Sequence, residues 1–193
     1  MEQVYIEEKT FNKIDYREYP LLLGEYENCE FIDCDFSNTD LSDFKFSDCK
    51  FIRCNLSMVT LIKTALRDTK FKDCKMLGIH FDDCNEFGLS IGFENCHLNH
   101  SSFYRTKIKE TNFKNSQLRE TDFTECDLTS SIFDNCDLTL AVFDNTIIEK
   151  TDFRTSFNYS IDLDRNRIKK AKFSFAGIIG LLDKYDIEIE GFI

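Results

Sequence analysis

The chain has 193 residues, with 24 Lys or Arg against 35 Asp or Glu and a formal net charge of −11. So acidic a balance lacks the cations that displace counterions from nucleic acid, so direct nucleic-acid binding is not expected; a basic partner surface or plain solubility accounts for the charge equally well. The start MEQVYIEEKTFNKID has no basic n-region or apolar run, and no stretch of eighteen apolar residues occurs, so a single cytoplasmic domain with no membrane span is expected.

Residues 1–25 place Ile6, Phe11, Tyr16 and Leu21 five apart but lack small residues two places before them, which reads as an N-terminal cap and a partial first coil. From Tyr26 the same phase runs through Phe31, Phe36, Leu41, Phe46, Phe51 and on to Phe81 without a miss, usually with Cys, Ser, Thr or Ala two positions earlier. A period of five fits neither the 3.6-residue helix nor the alternating strand. It describes units with one large and one small inward group. The register slips by two at 82–92 and resumes at Phe93, holding to Phe153.

A period of twenty overlies the five: FIDC, FIRC and FKDC begin at 31, 51 and 71, and FENC, FKNS, FDNC and FRTS at 93, 113, 133 and 153. Four units therefore make one turn of a solenoid in which each coil buries its apolar face against its neighbours. Phe alternates with Leu or Ile from 93 to 153, so Phe93, Phe113, Phe133 and Phe153 should form one inward column and Phe103, Phe123 and Phe143 the opposite one. With strands about 4.8 Å apart, residues 26–155 span a rod of roughly 31 Å.

These motifs resemble the pentapeptide-repeat proteins. The stretches CDFSNTDLSDFKFSDCKF, CNEFGLSIGFENC and NRIKKAKFSFAGIIGLLDKYDIEIE are most similar to the quinolone-resistance and microcin-immunity branch. The resemblance implies an all-β, right-handed quadrilateral parallel β-helix with a C-terminal capping helix. It also implies a rod-shaped, DNA-like homodimer that acts on DNA gyrase or the related topoisomerase IV.

All nine cysteines sit in the small inward slot at the repeat's own spacing, so they are expected to be buried free thiols and not bridges or metal ligands. Outside, Glu94, Lys114, Asp134 and Arg154 should form a ladder of alternating charge. Asp122, Asp127 and Asp137 recur in one outward slot, and His97 and His100 are surface positions. No phosphate-binding loop, HExxH or serine elbow is present, so no enzymatic activity, cofactor or metal is expected.

Candidate partner contacts are Asn85, Glu86 and Phe87 in the break, where Gly88 and Gly92 permit a small loop, and the outward acids Glu110, Glu120 and Glu125. A simple register adjustment explains the break as well. Residues 156–193 read as a turn, a helix and a strand. Phe175, Ile178, Ile179, Leu182 and Tyr185 fall at helical spacing, covering the open end and offering a dimer face, with Gly177 and Gly180 allowing close approach between chains. The function expected from these features is a non-enzymatic binding protein that shields a topoisomerase from a drug or toxin. The alternative is an interaction scaffold with another partner.

Overall fold

A period of twenty with one large inward residue in every five leaves the chain one way to bury its apolar groups, which is to wind into stacked turns. The computed structural model describes residues 4–190; the outermost residues of the two terminal segments, 1–3 and 191–193, lie outside it. Strands Val4–Glu7, Gly24–Glu27, Lys45–Ser47 and Ala65–Arg67 stack as one parallel sheet. A seven-stranded parallel sheet forms another side, from Thr10–Asn12 through Glu30–Ile32, Lys50–Ile52, Thr69–Lys72, Ile91–Glu94 and Asn112–Lys114 to Ile132–Asp134. Isolated parallel bridges such as Asn55↔Lys75 and Ser102↔Asp122 join the remaining sides. The result is a four-sided β-solenoid, paired from Val4↔Gly24 onward.

The sides are numbered here by their inward centres. Ile6, Tyr26, Phe46 and Leu66 begin the first, Phe11, Phe31 and Phe51 the second, Tyr16, Phe36 and Leu56 the third, and Leu21, Leu41 and Leu61 the fourth. On the second side nine rings from Phe11 to Phe173 stack without interruption, with centroids 4.6–5.4 Å apart. On the fourth, Phe81, Phe103, Phe123 and Phe143 stack likewise. Rings of the two columns meet edge to face, as in Phe113 and Phe123 at 85°, an arrangement in which the positive edge of one ring faces the negative face of the other. Both expected columns are present; the first continues through Phe71, Phe51 and Phe31 to Phe11, and the second begins at Phe81.

The small slot does more than make room. In most polar slots the side chain donates a hydrogen bond to the carbonyl of the inward centre on the preceding turn, usually twenty-three residues back. Examples are Thr64 to Leu41 at 2.7 Å, Thr146 to Phe123 at 2.8 Å, Ser131 to Ile108 at 3.1 Å and Cys54 to Phe31 at 3.2 Å. Buried carbonyls need donors, which is why Cys, Ser and Thr recur there. The first turn, whose slots hold Val4, Lys9, Ile14 and Tyr19, has no earlier described turn to serve. All nine cysteines are buried and free, and burial pushes the Cys49, Cys126 and Cys136 thiols up to about 12.

At most corners the residue two after the centre adopts a positive φ; Asn28, Asp33, Asn38, Asp43 and Asp48 lie between 50° and 65°. Asn and Asp tolerate this left-handed conformation better than most residues. The recurring outward Asp just before the centre secures the bend: Asp122, Asp127 and Asp137 each accept a hydrogen bond from the amide two residues on, at 2.8–3.1 Å.

Three expectations are corrected. First, the C-terminal segment is not an α-helix: Ala176–Leu181 and Asp183–Tyr185 are short 3₁₀ helices, and residues 187–190 form no strand. Second, the glycines serve contact within the chain, since a Cβ on Gly177 would lie 1.8 Å from the Tyr159 hydroxyl and one on Gly180 1.9 Å from the Tyr159 carbonyl oxygen. That packing ties the segment to the last turn, and Ile161 N–H donates to Gly180 O at 2.9 Å. Third, the charge ladder holds only in part. Glu94 lies 3.5 Å from both Lys72 and Lys114, but Arg154 binds Asp152 at 2.7 Å, because that carboxylate is only two residues away in the chain. Asp134 accepts the Thr155 hydroxyl in its place.

Candidate partner-binding surface

Because the inward positions are fixed by packing, surface chemistry is confined to three positions in each unit: those one before, one after and two after the centre. Applied to residues 40–165 of the fourth side, this rule gives nine acidic residues against three basic ones. The opposite, second side has eight basic residues and six acidic over its whole length. The formal charge is thus concentrated on one long face.

Pairing sharpens the difference. On the second side Glu30 lies 3.0 Å from Lys50, Asp33 is 2.7 Å from Arg53, and Glu94 has two lysines. The Arg53 guanidinium beside Asp33 holds its carboxyl below the usual range. On the fourth side Asp40, Asp43, Asp83 and Asp122 pair with no cation among the described residues. Uncompensated carboxylates therefore recur on alternate turns of this side, at the Leu41, Phe81 and Phe123 centres, while the Leu61 and Phe103 turns between them carry no acid on it.

The structure sorts the candidate residues by corner. Glu120 and Glu125 occupy the two edges of the acidic side, while Glu110 stands on the corner diagonal to Glu120, between the first and second sides. Glu125 is clamped by Arg105, whose Nε is 2.7 Å away, and this pairing lowers its pKa. The His100 ring lies 3.3 Å from Glu120. At the break, Phe81–Asp83 is a 3₁₀ turn, Asn85 Oδ1 accepts the Phe87 amide at 2.9 Å, and Gly88 has φ 73°. Leu89 packs back against the core, while Phe87 is 79% exposed with the Arg67 guanidinium 5.9 Å from its ring centre. A cleft of about 190 Å³ beside this loop is lined by Asp82, Glu86, Tyr104 and Arg105. Glu86 and Glu125 thus meet along one edge with Arg105 between them, and Glu110 does not join them.

At the C-terminal end Phe175, Ile178, Ile179 and Tyr185 are exposed, and Leu182 is half-buried. Lys184 holds the segment down through Asp162, at 2.7 Å, and Asp164. Among the described residues no group of three or more His, Cys, Asp and Glu is arranged to hold a metal ion, and no helix is long and apolar enough to cross a membrane.

Sequence reasoning found the acidic residues but missed their segregation to one side, although folding the sequence into four columns of five-residue units would have displayed it. It also missed the corner ladder in which Asn115 donates to Asn95 at 3.2 Å and Asn135 to Asn115 at 3.0 Å.

Fold and surface together define a repeat protein whose surface chemistry is spread along an extended face. The model of the pentapeptide repeat region matches residues 25–88 and 90–173, and the chain belongs to that family. Among solved structures, two trypsin-treated forms of QnrB1, a plasmid-mediated fluoroquinolone resistance protein, align with TM-scores of 0.63 at 14% and 15% identity. The alignments cover 97% and 98% of this chain and 100% of each of those. At that identity the likeness is one of fold. A comparison with curated protein sequences finds no match.

Proposed function

We propose that this chain is a non-enzymatic binding protein that occupies the DNA site of DNA gyrase or topoisomerase IV and shields the enzyme from a drug or toxin. The observation that carries this reading is the acidic fourth side, where carboxylates without counter-cations recur along the stacked turns. A basic groove built to hold duplex DNA is its electrostatic complement. The fold shared with a fluoroquinolone resistance protein supports the same assignment. A homodimer through the exposed apolar C-terminal residues would lengthen the rod.

Titration of the purified protein into gyrase supercoiling and drug-induced cleavage assays at two salt concentrations tests the proposal. The effect should weaken as salt screens the attraction. No effect in either assay and no binding at low salt would leave an interaction scaffold as the remaining function.

A further inference from the structure

Six of the nine cysteines are stacked upon one another. Cys34, Cys54, Cys74 and Cys96 follow on successive turns of one column: the Asn55, Lys75 and His97 amides bond to the Cys34, Cys54 and Cys74 carbonyls at 2.9–3.0 Å. Cys29 and Cys49 are neighbours in the next column, where the Lys50 amide bonds to the Cys29 carbonyl at 2.9 Å. By contrast Cys126 lies between Thr106 and Thr146, Cys136 between Ser116 and Ser156, and Cys84 next to Thr64.

Side chains of one column project alike from rungs about 4.8 Å apart, so the point midway between stacked sulfurs is ~2.4 Å from each. A metal–thiolate bond has nearly that length, about 2.3 Å for zinc. The rung spacing therefore suits an ion of linear coordination between two stacked sulfurs. Since no three ligating groups converge among the described residues, a four-coordinate ion has no site here.

We propose that the stacked pairs Cys34–Cys54, Cys74–Cys96 and Cys29–Cys49 are two-coordinate sites for a soft divalent cation of the mercuric type. In each, two S–H bonds break, two metal–sulfur bonds form, and two protons leave to solvent. No electron is transferred. The product, a divalent ion with two thiolates, is neutral. Neutrality decides the class, because all six thiols are buried and a monovalent soft ion would leave an unpaired negative charge in an apolar column. Thiolate donors select soft ions over hard ones. Each site gives up the S–H contacts to centre carbonyls, such as Cys74 to Phe51 at 3.3 Å, in exchange for two metal–sulfur bonds.

The test is native mass spectrometry of the reduced full-length protein after mercuric chloride titration and gel filtration, with X-ray absorption on the loaded sample. Three retained ions are expected, each displacing two protons and each bound by two sulfurs. Cys54→Ser with Cys96→Ser should leave one ion, whereas Cys126→Ser with Cys136→Ser should leave three. Ser fits the slot, as Ser116 and Ser156 show, and circular dichroism verifies folding. No retained ion, one proton lost per ion, or equal losses in the two double variants would overturn the pairing.

Discussion

Phe71 stacks on Phe93 with ring centroids 5.4 Å apart and planes 14° from parallel, although twenty-two residues separate them where every other pair in that column is separated by twenty. The two extra residues are taken up on the surface, between Asn85 and Ser90, whose amides still bond to Thr64 and Leu66 on the preceding turn. The core is continuous. The break therefore lies on the surface and is anchored to the packing beneath it through Leu89.

Phe113→Asp should prevent cooperative folding or cost several kcal/mol, because the side chain is fully buried between Phe93 at 5.2 Å and Phe133 at 4.6 Å. Thermal unfolding followed by circular dichroism measures it. A melting temperature equal to wild type would contradict the inward placement of residue 113.

Thr64→Val keeps the shape of the slot but removes the donor to Leu41 O, which then keeps only the Phe44 amide at 3.2 Å. A loss of about 0.5–1.5 kcal/mol is expected in urea unfolding, and less for Thr64→Ser, which retains the hydroxyl. Equal stability of wild type and the Val variant would reduce the slot to a matter of size.

Alkali should destabilise the fold. Thiols ordinarily titrate near 9.0, but those of Cys49, Cys126 and Cys136 are raised to about 12 in the folded protein, so the unfolded chain loses its protons first. Their contribution is complete below pH 9 and is lost as pH rises toward 12, at up to about 1.4 kcal/mol per pH unit for each thiol. Cys49→Ser should flatten the fall in melting temperature between pH 9 and 11. An unchanged slope would mean that the Cys49 thiol titrates alike in both states.

Gly180→Ala should detach the C-terminal segment, since the new methyl group would meet the Tyr159 backbone. Light scattering should show wild type as a dimer, and the variant, like deletion of residues 174–193, as monomer or aggregate. Wild type that stays monomeric at high micromolar concentration would exclude the C-terminal dimer.

The core was legible because its positions are periodic: Phe31, Phe51 and Phe71 declare their column by spacing alone. The C-terminal segment was not, because Phe175, Ile178, Ile179 and Leu182 match a helical stripe whatever lies beneath. The tight contact of Gly177 and Gly180 with Tyr159 involves residues about twenty apart that no local pattern links. The candidate surface was half legible. Glu120 and Glu125 stand out as repeated acids, but which acids retain an uncompensated charge depends on partners one turn away, such as Arg105 for Glu125 and Arg53 for Asp33.

The acidic fourth side is the central claim, and the binding constant for gyrase at low salt tests it most directly. Asp40→Asn, Asp83→Asn and Asp122→Asn together remove three charges from that side; Glu30→Gln, Asp73→Asn and Asp134→Asn remove three from the opposite side. The account predicts that the first variant binds at least about tenfold more weakly than wild type, a loss of roughly 1.4 kcal/mol, while the second stays within about twofold. Equal weakening by both variants, or wild type that does not bind gyrase, would contradict it.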